Sequence, residues 1–275
     1  MPLLRIGHSP DADDAFMYYA IAHGKVAIGN YQVQHVLEDI ESLNRRAMRG
    51  ELEVTAISAA AYPQVADGYR IMRVGSSIGR HYGPTVVTRV GREEMDLAGA
   101  RIAIPGEYTT AYLLLRLYLE GFEAVPIAFD EIPAAVQAGD VDAGLLIHEG
   151  QITYGELGLS KALDLGEVCG RDTGLPIPLG LDMVRRDLGE ELSSLIAQGL
   201  KSSILYAFEH EDEALDYAIG FSRGIERETC RRFVRMYVNQ DTLDMGEEGQ
   251  RALETLFAKA REKGIIGQVP PIDLF

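Results

Sequence analysis

The 275 residues include only two cysteines, Cys169 and Cys230. They lie too far apart to suggest a disulfide framework or a metal-ligand cluster, so plain thiols are expected. Long apolar runs are also missing: even Ala111 to Leu119 is interrupted by Arg116. Spanning a bilayer takes roughly 18 to 20 apolar residues, so no transmembrane segment is expected. Basic charge is scarce, with 26 Lys and Arg against 42 Asp and Glu and a formal net charge of -16. Such a surface repels nucleic acid and anionic membranes, which leaves a small molecule as the expected partner. An anionic substrate is still compatible, because a few N–H groups aimed into a cleft outweigh a distant, salt-screened field. The chain has no Gly-x-Gly-x-x-Gly, no P-loop Gly-Lys-Ser/Thr and no Gly-x-Ser-x-Gly elbow, and neither a repeat nor a low-complexity tract. Nucleotide binding and serine hydrolase chemistry thus find no support, and no cofactor is expected.

Hydrophobic residues at 47% and charged residues at 25% describe a folded globular chain. At about 100 to 200 residues per domain, two lobes are expected. Strand-like runs alternate with helical ones: Leu3 to Gly7 then Asp14 to His23, Val54 to Ile57 then Ala59 to Ala66, Arg101 to Ile104 then Thr110 to Gly121. This pattern predicts an α/β fold with mostly parallel strands. Met1 to Gly7 reads as the first strand, without the marks of a secretory signal, so a cytoplasmic protein is expected. Two extended segments, His81 to Arg89 and Leu175 to Val184, suit hinge strands between the lobes. The expected division is a discontinuous first lobe, 1–86 plus 182–275, and a second lobe, 87–181. Beyond Asp187 four amphipathic stretches predict a helical C-terminal segment covering the first lobe: Leu188 to Glu209, Asp212 to Phe221, Arg227 to Tyr237 and Gly246 to Lys263.

Ligands of open α/β sheets bind beyond the carboxyl ends of strands, where helices begin. Three strand-to-helix junctions carry suitable residues: Gly7 to Asp14, Ile57 to Tyr62, and Pro105 to Tyr112. The first turn of a helix leaves N–H groups free and carries about half a positive charge, which suits a carboxylate or a polyol. Ser, Thr and Asp at these places serve equally well as plain N-caps. At Thr109-Thr110, Gly106 permits close backbone approach, and two adjacent hydroxyls exceed what one cap requires.

His148 ends the buried run Asp142 to Ile147, so its ring is expected to emerge into a cleft beside Glu149. An ordinary histidine, with a pKa near 6.5, can accept a proton at neutral pH, and His148 is the candidate general base. A structural histidine is the bland alternative. His8 and His81 stand second, while His23, His35 and His210 look structural. The cluster Asp11, Asp13 and Asp14 lacks the Gly and terminal Glu of a calcium loop, so capping is expected rather than a metal; Asp14 is the one that could face a substrate hydroxyl. Tyr108 and Tyr112 suit either selectivity or packing against the other lobe.

The stretches His8 to Met17, Leu37 to Asn44, Pro105-Gly106 with Thr109 to Tyr112, Ile147-His148-Glu149, Gly174 to Gly180, Tyr237 to Asn239 and Leu243 to Gly249 are similar to the 1,4-dihydroxy-6-naphthoate synthases of the futalosine route to menaquinone. The resemblance runs nearly end to end. It implies a fold like the type 2 periplasmic binding proteins, used in the cytoplasm as a carbon–carbon lyase that cleaves cyclic dehypoxanthine futalosine. It also implies His148 as the base and Ser9, Asp14, Ser58, Thr109 and Thr110 as substrate-holding residues. Some members carry Cys-Pro-Asn-Asp after the first Ser-Pro, where this chain has Asp11-Ala12-Asp13-Asp14, so no role passes to Asp11 or Asp13. The rival readings are a solute-binding protein of a transporter and the sister chorismate dehydratase. A monomer and a homodimer are both open.

Overall fold

The computed structural model describes residues 1–80 and 82–275, so the hinge-side candidate His81 lies outside the described residues. Strands β1 (Leu3–His8), β2 (Gln32–Leu37), β3 (Val54–Ser58), β4 (Tyr69–Ile71) and β5 (Ser77–Gly79) precede β6 (Thr85–Arg89), β7 (Arg101–Ile104), β8 (Glu123–Pro126), β9 (Ala143–Leu146), β10 (Leu159–Asp164) and β11 (Ile177–Arg185). The first sheet has the order β2-β1-β3-β11-β4, with β5 also pairing with β11; the second has the order β10-β6-β9-β7-β8.

Each sheet keeps a parallel trio, β2-β1-β3 and β9-β7-β8. The remaining pairings, through β6 and β11, are antiparallel. The expectation of mostly parallel strands is therefore corrected: five of nine pairings among the described residues are antiparallel. Two strands that enter a sheet from the other lobe, not through a βαβ crossover, run against their neighbours. The chain leaves the first sheet after Gly79 and returns to it at Ile177, so the expected boundaries at 86/87 and 181/182 fall inside β6 and β11. The first crossing runs in close backbone contact with the helix Leu165–Thr173, because a Cβ on Gly166 would stand 2.5 Å from atoms of both Tyr82 and Gly83.

The helix Ala12–Ala22 is buried along nearly its whole length, since its mixture of Ala, Phe, Met, Tyr and Ile offers no polar face. The C-terminal helices Gly189–Glu209, Glu211–Ala218 and Arg227–Tyr237 cover it, and Phe16, Ile196, Leu215 and Phe233 share one core. The last helix, Gly246–Glu262, packs against β11 instead. At the second junction the predicted helix Ala59 to Ala66 is only a 3-10 turn, Ala59–Ala61, and a short helix, Tyr62–Val65. Pro63 stands in the first turn of that short helix, where its missing N–H is tolerated. The helix from Thr110 ends at Tyr118, not Gly121, because Leu119 turns extended. Ile57, Tyr62, Val86, Ile102, Leu114, Leu145 and Phe257 form a core that crosses from one lobe to the other, so the two lobes are pressed together.

Candidate active site

One cleft between the lobes is lined by Ser9, Asp14, Ser58, Thr109, Thr110 and His148, the six residues singled out from sequence. It encloses about 90 Å³. Asp13, from which only capping was expected, also faces it, as do Gln151, Asp182 and Tyr237, which the sequence did not single out.

β9 is fully buried and delivers His148 to the cleft edge, where the residue adopts a left-handed backbone with φ 52. That conformation costs a non-glycine residue about 1–2 kcal/mol and is found where surrounding contacts impose it. Gln151 is the brace. With its amide oriented by its neighbours, it accepts from His148 N–H at 3.2 Å and Tyr237 O–H at 2.5 Å and donates to the Gly83 carbonyl at 2.6 Å. The imidazole meets the edge of Phe129, with ring centres 5.2 Å apart. Its Nδ1 stands 3.2 Å from Asp11 Oδ2, yet the angle is poor, and neither ring nitrogen has a well-formed hydrogen bond.

Asp11 occupies the N-cap of the helix Ala12–Ala22, but its side chain makes no cap bond there. The capping role expected for Asp11 is thus corrected: its carboxylate turns to Arg223 Nη1, at 2.8 Å, and to His148. Burial raises the Asp11 carboxyl, and His148 with Arg223 outweighs that and holds it below the ordinary carboxylate range. Arg223 also reaches Glu149 at 3.3 Å and lies over the Phe129 ring at 4.5 Å. Sequence reading passed over Arg223; the one available signal was its place in a Ser-Arg-Gly turn between two amphipathic helices. Asp14 folds back on its own loop and accepts from Ser9 N–H at 2.7 Å and Ser9 O–H at 3.0 Å.

Burial first, then the adjacent carboxylates, pushes Asp13 well above the usual carboxylate range. Asp182 is displaced the same way by burial and by Asp14, while its Oδ2 accepts from Tyr18 O–H at 3.2 Å. A lone acid inside the apolar stretch Leu179 to Val184 could have flagged it. Burial and Asp11 push Asp14 up to about 6 against an ordinary 3.8. Asp14 therefore binds its proton more tightly folded than unfolded, and ionising it costs on the order of 3 kcal/mol of stability above pH 6. That cost vanishes as pH falls through about 6 towards 3.8. Urea unfolding at a series of pH values should show wild type gaining on Asp14→Asn by about that amount between pH 8 and pH 4. A pH-independent difference would contradict the raised value.

The hydroxyls at the other junctions are already engaged. Thr109 Oγ1 accepts from Tyr112 N–H at 3.2 Å and donates to the Gly106 carbonyl, so it serves as the N-cap. Thr110 Oγ1 accepts from Ala60 N–H at 3.2 Å and donates to the Leu179 carbonyl at 2.7 Å, tying the second lobe to the first. Ser58 is held by Asn44 through both its N–H and its hydroxyl. Thr110 and Ala111 line the cleft at the start of that helix, where first-turn N–H groups have no partner within the helix. His8 leaves the candidate set: it stacks on Tyr18, pairs with His35 at 2.9 Å, and burial followed by His35 lowers it to about 3. Tyr108 stacks under Arg45 of the first lobe, and Tyr112 packs on Phe122, both outside the cleft. Both cysteines are free and buried. Asp11, Asp13 and His148 place one oxygen or nitrogen each within 4.8 Å of one another, the described grouping that could hold a metal ion.

Two α/β lobes, crossed twice by the chain and closed on a cleft, define a protein of the periplasmic-binding-protein fold. The structure superposes on the alkanesulfonate-binding protein of Xanthomonas axonopodis pv. citri with a TM-score of 0.75 at 14% identity, covering 100% of this chain and 98% of that one, a likeness of fold alone. The chain belongs to the menaquinone biosynthesis family, whose model matches residues 4–262. It is 44% identical to the 1,4-dihydroxy-6-naphtoate synthase of Thermus thermophilus over 98% of both chains, and 36% identical to that of Streptomyces coelicolor over 98% of this chain and 96% of the other. A crystal structure of a protein from Archaeoglobus fulgidus matches with a TM-score of 0.93 at 50% identity, covering 96% of this chain and 98% of that one. No helix among the described residues is long and apolar enough to cross a membrane.

Proposed function

We propose that this chain is a carbon–carbon lyase that converts cyclic dehypoxanthine futalosine to 1,4-dihydroxy-6-naphthoate, with His148 as general base. The observation that carries the reading is the His148 imidazole, lining the closed cleft with neither ring nitrogen engaged in a well-formed hydrogen bond, in a chain whose relatives bear that enzyme name. The free N–H groups at the start of the helix Thr110–Tyr118 suit the substrate carboxylate. Ser9, Asp14 and Ser58 are the polyol-facing residues on the opposite wall.

The step begins when His148 takes the proton of a ribose-derived hydroxyl. The oxygen's electron pair then forms a carbonyl, the adjacent carbon–carbon bond breaks, and its pair passes into the conjugated ring ketone. The ring oxygen takes up the proton that His148 removed, the ring becomes a dihydroxynaphthalene, and aromatisation drives release. No redox partner or group carrier is required. Ligand pockets usually span about 300–1,000 Å³, so a cleft of about 90 Å³ describes closed lobes that part to admit substrate. Closure excludes water from the cleavage. As a step of quinone precursor synthesis, the reaction is assigned to the cytoplasm.

Pure protein incubated with the cyclic futalosine derivative should develop naphthoate absorbance and consume the substrate. Elimination from chorismate in a parallel incubation would instead support the dehydratase. Tight binding of either compound without turnover would support a solute-binding role.

A further inference from the structure

Three parts of the chain meet at His148. Asp11, only 1% exposed, comes from the first lobe; His148, Glu149 and Phe129 come from the second; Arg223 comes from the loop between C-terminal helices. The charged groups around the ring are Asp11, Asp13, Asp14, Glu149 and Arg223. Among these the Asp11 carboxylate oxygen at 3.2 Å is the one within reach of Nδ1. Asp11 in turn is fixed by Arg223, itself held in a left-handed turn with φ 54.

We propose that Asp11, anchored by Arg223, is the positioning residue of His148: it favours the tautomer protonated at Nδ1, leaves Nε2 as the proton acceptor, and does so only when the lobes are together. The inference rests on the reading of His148 as base. A carboxylate beside one ring nitrogen selects the tautomer and so decides which nitrogen is basic. Because ring and carboxylate belong to different lobes, the base is complete only around an enclosed substrate. The present angle is poor for a hydrogen bond, and a small ring rotation on substrate binding would align it. A cation shared by Asp11, Asp13 and His148 is the competing account of the same cluster. The Arg223 guanidinium, 2.8 Å from Asp11 and 3.3 Å from Glu149, already supplies positive charge there and disfavours a second cation.

The test uses wild type, Asp11→Asn, Arg223→Gln and Arg223→Lys. Long-range proton–nitrogen spectra of the histidine rings, with His148→Asn to assign the signal, should show the Nδ1–H tautomer in wild type and its loss in Asp11→Asn. Turnover in Asp11→Asn should fall roughly 10- to 100-fold with KM changed less than about threefold. Each ion pair from Arg223 uses Nη1, so Arg223→Lys should retain more turnover than Arg223→Gln. Circular dichroism and thermal unfolding identify a variant that fails to fold, in which case the Arg223 pair decides the matter. An unchanged tautomer in Asp11→Asn, unchanged kcat in both Asp11→Asn and Arg223→Gln, or a stoichiometric metal ion whose removal abolishes wild-type activity would overturn the proposal. If wild type forms no naphthoate, the enzyme reading fails while the spectra still judge the Asp11–His148 pair.

Discussion

Asparagine in place of His148 is expected to lower turnover about 100- to 10,000-fold, the usual worth of a general base. KM should change little, because the groups assigned to hold the carboxylate and hydroxyls, at Ser9, Asp14, Ser58 and the Thr110–Tyr118 helix start, are untouched. The fold should also survive. The imidazole makes no well-formed hydrogen bond, and its backbone brace by Gln151 does not involve the ring. Asparagine tolerates the left-handed backbone, with φ 52, that alanine would strain. Steady-state kinetics with the cyclic futalosine derivative, alongside a thermal unfolding curve, check both halves. Wild-type turnover in the variant refutes the assignment of the base.

The second large effect concerns a residue that does no chemistry. Gly75 has φ +91, and a Cβ there would stand 2.2 Å from Asp182 Oδ2 and 2.8 Å from its Cβ. Asp182 cannot retreat easily: β11 pins its backbone opposite Ala56, and its carboxyl is buried against Tyr18. Gly75→Ala should therefore cost about 2–4 kcal/mol, combining backbone strain with overpacking. In a chain of this size that lowers Tm by roughly 5–15 °C. Gly91→Ala separates the two causes, because Gly91 has a similar φ of +85 and nothing within 4 Å of the added carbon. It should show the strain alone, about 1–2 kcal/mol. Equal losses at both positions would mean that crowding of Asp182 contributes nothing.

Local chemistry made much of this structure readable. Alternating strand and helix runs fixed the α/β class, and the four C-terminal amphipathic stretches fall on four observed helices. The six residues read from motifs all border one cleft, because each sits at a strand's carboxyl end or in the loop or first helical turn that follows, and these junctions converge between lobes. What stayed hidden depends on contacts between distant positions. Asp11 and Arg223 lie 212 residues apart, and no periodicity announces such a pair. The antiparallel direction of β6 and β11 follows from where the chain changes lobe, which hydropathy does not encode. Thr109 and Thr110 were legible as a doublet but not as one cap and one clasp, since the partners of the second hydroxyl are Ala60 and Leu179.

The insertion of β11 between β3 and β4 has a consequence for synthesis on the ribosome. β4 borders the first sheet only through β11, so that sheet cannot be assembled before Arg185 has emerged. The second sheet needs nothing beyond β10, which ends at Asp164, and can form while the remainder is still being translated. The amino-terminal half of the first lobe must therefore wait, with the apolar helix Ala12–Ala22 uncovered, until the helices between Gly189 and Tyr237 arrive to shield it. For this chain the most exposed stage of synthesis is the one before Gly189–Tyr237 appears, and that helical stretch is the one that ends it.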